Sequence, residues 1–403
     1  MECGEPWTIP PQIRLRGGMR VAYAHVHCAG AARFWECADI MERFRRCLSA
    51  VAGGVFGLFT AATALPVSAL AGPPGGLEQV QEPVAGYLAA RSRPGPGSID
   101  SLAPDFARAG SFRAMLKTAV TADWGGLNAA AAAAGYRAFA LVEDSGWYLV
   151  LDDAVDGLGP TVVLSPAPRR DLIAEAPHPV VDRYTAPETA LFVTQLGARA
   201  AIVAGANRCA AAAQSPCSGT TKVCKAHGKA PYRDSDVAHN PETLFQVAHE
   251  VLSAQWPEAV VFSIHGFAKT KSAPDTWAVI SDGGKAEGGP ADRLTRRLRD
   301  RLRVLLDGGD ARAVACDDPE DRRFGFARLC AATNAQGRHL NGSADVCRQS
   351  VEQASGRFLH IEQTRDLRDP FEYGWRAPRD HAAIRAVLDA VAGVVPCLPG
   401  RCP

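Results

Sequence analysis

The chain predicts an α/β fold: a three-layer sandwich on a mixed, mostly parallel sheet, preceded by a helical and hairpin extension. Three observations carry this reading. From Val162 onward, short runs rich in Val, Ile and Ala alternate with longer helical patterns, the order that builds a sheet covered on both faces. Ahead of them, residues 137–142 and 147–151 are separated only by 143–146, the spacing of a β-hairpin. Polar residues also recur at the ends of the predicted strands, where open α/β sheets gather their ligands.

Taken in order, residues 72–98 are rich in Pro and Gly and read as a loose arm with one short helix. Residues 111–120 and 127–134 read as helices, the second dominated by alanine. After the hairpin, residues 161–175 (TVVLSPAPRRDLIAE) read as strand, turn, strand, broken by Pro-Arg punctuation. A buried strand at 200–204, a helix at 241–254, strands at 259–264 and 276–280, an amphipathic helix at 291–306, a strand at 358–362 and a last helix at 381–394 complete the domain, which spans 99–403. There is no internal repeat.

The first 71 residues read differently. From Met41 a basic start (Arg43, Arg45, Arg46) leads into a weakly apolar run and then Ala69-Leu70-Ala71. These are the three regions of a secretory signal peptide cleaved before Gly72, with a marginal membrane anchor as the alternative. Residues 1–40 have no such logic and read as an over-extended start.

Charge is balanced, 44 Lys/Arg against 43 Asp/Glu, which points to neither nucleic acid nor an anionic membrane as partner. Of twelve cysteines, eight follow Gly72: Cys209, Cys217, Cys224, Cys316, Cys330, Cys347, Cys397 and Cys402. An even number in an exported chain implies up to four disulfides, with Cys217–Cys224 and Cys397–Cys402 the short closures expected first. No CxxC is present, which argues against zinc held by thiolates. The localisation these features imply is secreted or periplasmic.

Chemistry concentrates in 174–188, AEAPHPVVDRYTAPE. Pro177 and Pro179 keep the backbone at His178 out of helix. Thr185, Pro187 and Glu188 look like a helix start with Thr185 as N-cap and Glu188 as its capping-box partner. His178 and Asp182 therefore sit on a strand-to-helix loop. The strand at 259–264 runs into His265-Gly266, where glycine allows close approach of a ligand; Arg208 follows the 200–204 strand, and Glu362 ends FLHIE. Two neutral imidazoles and a carboxylate leave a zinc ion with an open position. His178, Asp182 and His265 are accordingly the expected Zn2+ ligands, Glu362 the general base, and Arg208 the group that orients a substrate carboxylate or an oxyanion. His239 is expected to orient a ligand or substrate, and His249, on a helix, to be a core histidine. No G-x-S-x-G elbow and no HExxH is present.

The segment His178-Pro-Val-Val-Asp182-Arg-Tyr-Thr185-Ala-Pro-Glu188 resembles the ligand segment of zinc-dependent poly-γ-glutamate hydrolases, with one residue fewer between the ligands and Asp in place of Glu. Phe262-Ser-Ile-His265-Gly266 is similar to that family's Ile-His-Gly strand, and Ile361-Glu362-Gln-Thr-Arg-Asp-Leu-Arg368 to its catalytic Glu followed by Leu-Arg. His239-Asn-Pro-Glu-Thr-Leu-Phe245 resembles the segment before the second histidine strand. N-formylglutamate amidohydrolase-like enzymes are a related possibility. The resemblance implies a carboxypeptidase-like fold and hydrolysis of an amide in a peptide or amino-acid conjugate, with Arg338, Arg368 and Thr185 joining His239 as candidates around the ligands or substrate. Pro179, Val180 and Val181 replace the family's glycines, and cysteine-bearing insertions at 208–233 and 313–356 are expected to rim the site. The competing reading is a disulfide-stapled envelope binding protein that kept the fold and lost the activity.

Overall fold

The computed structural model describes residues 72–402 apart from 105, 226, 270, 272, 289, 308, 326–328 and 370–380. The over-extended start and the signal peptide expected at 1–71 lie outside the described residues.

Among the described residues ten strands form one sheet: β1 (Glu78–Gln81), β2 (Tyr136–Glu143), β3 (Gly146–Asp153), β4 (Thr161–Leu164), β5 (Leu172–Ala176), β6 (Ala200–Val203), β9 (Val260–Gly266), β10 (Ala278–Ser281), β11 (Ala313–Ala315) and β12 (Phe358–Gln363). Two short strands, β7 (Thr220–Thr221) and β8 (Ala230–Pro231), make a separate ribbon. The order in the large sheet is β1-β2-β3-β4-β6-β5-β9-β12-β10-β11. At its centre β6, β5, β9 and β12 run parallel, flanked by antiparallel β4 on one side and β10 on the other. The expected mixed, mostly parallel sheet is present.

Alternation along the strands assigns the two faces. Ala174, Ala201, Val203, Phe262, Ile264, Leu359 and Ile361 pack in one core with helices α1 (Val84–Ala90), α4 (Thr185–Thr194), α6 (Leu294–Leu306) and α9 (Ala382–Val394). Ile173, Ala200, Ile202, Val261 and Phe358 face the other core, under α2 (Phe106–Val120), α3 (Trp124–Ala134) and α5 (Leu244–Gln255). Helices on both faces of one sheet give the three layers.

The 72–98 segment is not a loose arm. β1 pairs parallel with β2, Val80 opposite Leu141, and α1 buries Val84 and Leu88. The strand reads Glu-Gln-Val-Gln and is largely exposed, so its backbone pairing, with little apolar side-chain burial, defines it, and a hydrophobic pattern has nothing to detect.

Among the described residues four disulfides close, Cys209–Cys224, Cys217–Cys347, Cys316–Cys330 and Cys397–Cys402. The expected Cys217–Cys224 bridge is replaced: Cys217 joins Cys347, 130 residues on, because the two insertions meet in space with their Cα atoms 4.3 Å apart. Four bridges imply an oxidising compartment. No helix among the described residues is long and apolar enough to cross a membrane.

Candidate metal centre

The polar residues collect at the C-terminal ends of the four central parallel strands. After β5, the chain makes one helical turn in which the Asp182 amide donates to the His178 carbonyl (2.8 Å), so these two side chains emerge on the same side. The turn then passes into α4. Tyr184 precedes that helix with φ 74°, a left-handed conformation rare for a non-glycine. Thr185 is therefore not the N-cap: it is the first helical residue, and its hydroxyl donates back to the Asp182 carbonyl at 2.9 Å, bracing the ligand turn. Nor does Glu188 close a capping box; its side chain is buried and accepts from Gln363 Nε2 at 2.8 Å.

His178, Asp182 and His265 come together as a buried triangle. His178 Nδ1 lies 3.1 Å from His265 Nδ1 and 3.4 Å from Asp182 Oδ2, and His265 Nδ1 lies 3.3 Å from the same oxygen. A tetrahedral centre with bonds of ~2.0 Å has ligand-to-ligand edges of about 3.3 Å. The three side chains thus fit a small tetrahedral cation with a fourth position open.

Their outer contacts agree with that use. His178 Nε2 is 2.8 Å from Asp236 Oδ1; an N–H donated to this carboxylate leaves the Nδ1 lone pair facing the triangle. His265 Nε2 is 3.1 Å from Ser263 Oγ, whose hydroxyl can accept in the same way. Asp236 is in turn held by Arg208, whose Nε and Nη2 donate to its Oδ2 at 3.1 and 2.6 Å. Arg208 Nη1 reaches inward to 3.3 Å from His178 Nδ1. His239 Nδ1 sits 3.1 Å from Asp236 Oδ1 and its ring stacks on Tyr232 with centroids 3.9 Å apart.

The electrostatics separate the two aspartates of the site from its glutamate. Burial pushes Asp182 up, but His178 and His265 beside it outweigh this and hold its carboxyl well below the usual range. Burial also raises Asp236, and the Arg208 charge, helped by His239 and His178, brings it far down. His265 is pushed down to about 4, chiefly by burial. Glu362 goes the other way: burial and the neighbouring Asp182 charge raise it well above a normal glutamate, with Arg208 and Arg368 opposing.

Glu362 pairs in register with His265 across the β9–β12 ladder, and carboxylate and imidazole atoms of His265, His360 and Glu362 lie within 4.8 Å of one another. Arg368 is buried at the same corner, its Nη1 donating to the Arg183 carbonyl. Gly266 makes room for this arginine: a Cβ there would fall 2.3 Å from Arg368 Cζ. The glycine after His265 is thus explained by a protein side chain, and no ligand is needed to account for it.

Arg338 does not join this group. Its Nε donates to Ala332 O, Nη1 to the carbonyls of Val346 and Cys347, and Nη2 to Ser350 Oγ, so it clamps the insertion that carries Cys347. His249 is a buried core histidine, 2.7 Å from Glu175 Oε1. Two participants escaped the sequence reading. Asp236 stands three residues before His239, a spacing that could have drawn attention to it. His360 alternates with Glu362 along β12, which puts both on the face of His265.

No protein-family model matches the chain, and no curated protein does. Two chains of solved structure match. One is the crystal structure of N-formylglutamate amidohydrolase from Ralstonia eutropha JMP134, 15% identical, covering 59% of this chain and 98% of that one, with a TM-score of 0.32. At that score the likeness carries no functional argument, and what the site can do has to be read from its own residues.

Proposed function

We propose that this chain is an exported zinc-dependent hydrolase of an amide bond in a peptide or amino-acid conjugate. The observation that carries the reading is the triangle of two imidazole nitrogens and one carboxylate oxygen, with edges of 3.1 to 3.4 Å, beside a carboxyl whose proton affinity is raised. His178, His265 and Asp182 would hold the zinc, which supplies a Lewis acid and brings a water's pKa towards ~7. Asp236 fixes the His178 tautomer and Arg208 keeps Asp236 in place. Glu362 takes the proton of the attacking water and hands it to the departing amine, a transfer for which a carboxyl of raised proton affinity is suited. Arg208 Nη1 and Arg368 are the cations available to an oxyanion or a substrate carboxylate.

The test is metal content. Elemental mass spectrometry of the purified, oxidised protein is expected to find about one zinc per chain, and little in a His178→Ala/His265→Ala double variant whose circular dichroism matches the parent. No zinc in the parent, even after reconstitution, would sink the hydrolase reading in favour of an inactive binding protein on the same fold.

A further inference from the structure

On β12 the side chain after Glu362 turns to the opposite face of the sheet. There Gln363, wholly buried, donates Nε2 to Oε1 of Glu188 on α4, itself 3% exposed. The other two polar atoms of this pair, Glu188 Oε2 and Gln363 Oε1, are also buried and have no partner. Both are acceptors if Glu188 is ionised. One proton on Glu188 Oε2 makes it a donor, and Gln363 Oε1, on the amide already bonded to this carboxyl, is an acceptor left without one.

We propose that Glu188 is kept as a neutral carboxylic acid, closed onto Gln363 by two opposed hydrogen bonds, and that this acid–amide ring positions the end of β12 that carries Glu362. Glu188 is a positioning residue, acting through Gln363. The groups that act on it are Gln363 from β12 and Arg368 from α8 (Arg365–Arg368). Thr185 and Thr189, on its own helix, are uncharged. Tyr87 of α1 is turned to Asp152, Glu175 of β5 is bonded to His249 in the other core, and His265 of β9 faces the metal site. Burial is the largest influence, raising the carboxyl to about 7 against the opposing pull of Gln363 and Arg368. Arg368 also acts on Glu362. With Glu188 neutral, that cation is not shared between two anions.

The folded pKa lies above the unfolded one, so the stabilisation is full below about 4.5 and is lost as pH rises through about 7. Glu188→Gln sets an N–H where the acid proton stands and keeps the ring at every pH; Glu188→Ala removes it. Infrared spectra of the full-length oxidised protein at about pH 5 are expected to show protonated-carboxyl absorption that loses one component in Glu188→Gln, the contribution of the raised Glu362 remaining. Between about pH 5 and pH 8 the parent Tm should fall relative to that of Glu188→Gln, while Glu188→Ala melts lower than both throughout. A Glu188→Gln protein that melts below the parent at every pH, with an unchanged protonated-carboxyl band, would overturn the proposal, since it would mean an ionised Glu188 paired with Arg368. Should Glu188→Ala not fold, the spectrum and the Glu188→Gln melting curve decide alone. Neither readout involves zinc or turnover, so this proposal and the hydrolase reading can fail separately.

Discussion

Two buried charge clusters in this molecule look alike at first sight and differ in one respect. Near the end of α6, Asp321 receives Arg303 Nη2 on Oδ1 at 2.6 Å, and Arg299 Nη1 and the Ala315 amide on Oδ2, both at 2.9 Å. Arg299 also reaches Asp318 at 2.5 Å. Every carboxylate oxygen of Asp321 faces N–H donors, so the cluster is complete within the chain. In the triangle of His178, Asp182 and His265, three atoms able to act as acceptors face one another, the ring N–H groups are turned outward to Asp236 and Ser263, and the donor that reaches inward is Arg208 Nη1, 3.3 Å from His178 Nδ1. Burial and charge are common to both. What singles out a binding site is the direction of the lone pairs.

The largest expected effect on this contrast is at Glu362. Glu362→Gln should lower turnover of a hydrolysed amide by ~10²–10⁴-fold, the range for loss of a general base, while zinc content stays at the parental level. Full activity in that variant would remove Glu362 from the mechanism. Next comes the closed cluster: Asp321→Ala leaves Arg303 without its close partner and should cost about 3 kcal/mol in denaturant unfolding, again with zinc unchanged. If zinc were lost there, the two clusters would not be independent and the comparison would break. The smallest effect is expected of Asp236→Asn, which keeps the shape but weakens the hold on the His178 ring. Zinc affinity should fall ~10–100-fold by competition with a chelator. An unchanged affinity would mean that the orientation of His178 does not depend on this carboxylate.

Much of this arrangement was legible in the chain. The strands before His178 and His265, and the one bearing Glu362, announce themselves by apolar runs, and the order of the polar residues after them survives in the structure. What was not legible depends on contacts distant in sequence. Asp236 gains its place only when the 208–233 insertion folds back over the strand ends. Glu188 looks like a capping residue when only its own helix is considered, yet its partner is Gln363, 175 residues away. The N-cap went wrong for a local reason: Tyr184 takes a positive φ that no side-chain preference of tyrosine signals. Arg338 and Arg368, both arginines near cysteine-rich or motif segments, look equivalent in sequence. One spends its donors on a loop, and the other lies against Gly266.

The Cys217–Cys347 bridge has a topological consequence. It closes α5, β9, β10, α6 and β11 into one covalent ring, with His265 inside the ring and His178, Asp182 and Glu362 outside it. A protease that nicks the connection between β9 and β10 opens the ring without dividing the molecule. The cut protein should run as a single species on a non-reducing gel and separate into two only after reduction. In such a nicked chain the whole triangle stays on the N-terminal piece, and the bridge keeps the piece that carries Glu362 covalently attached to it.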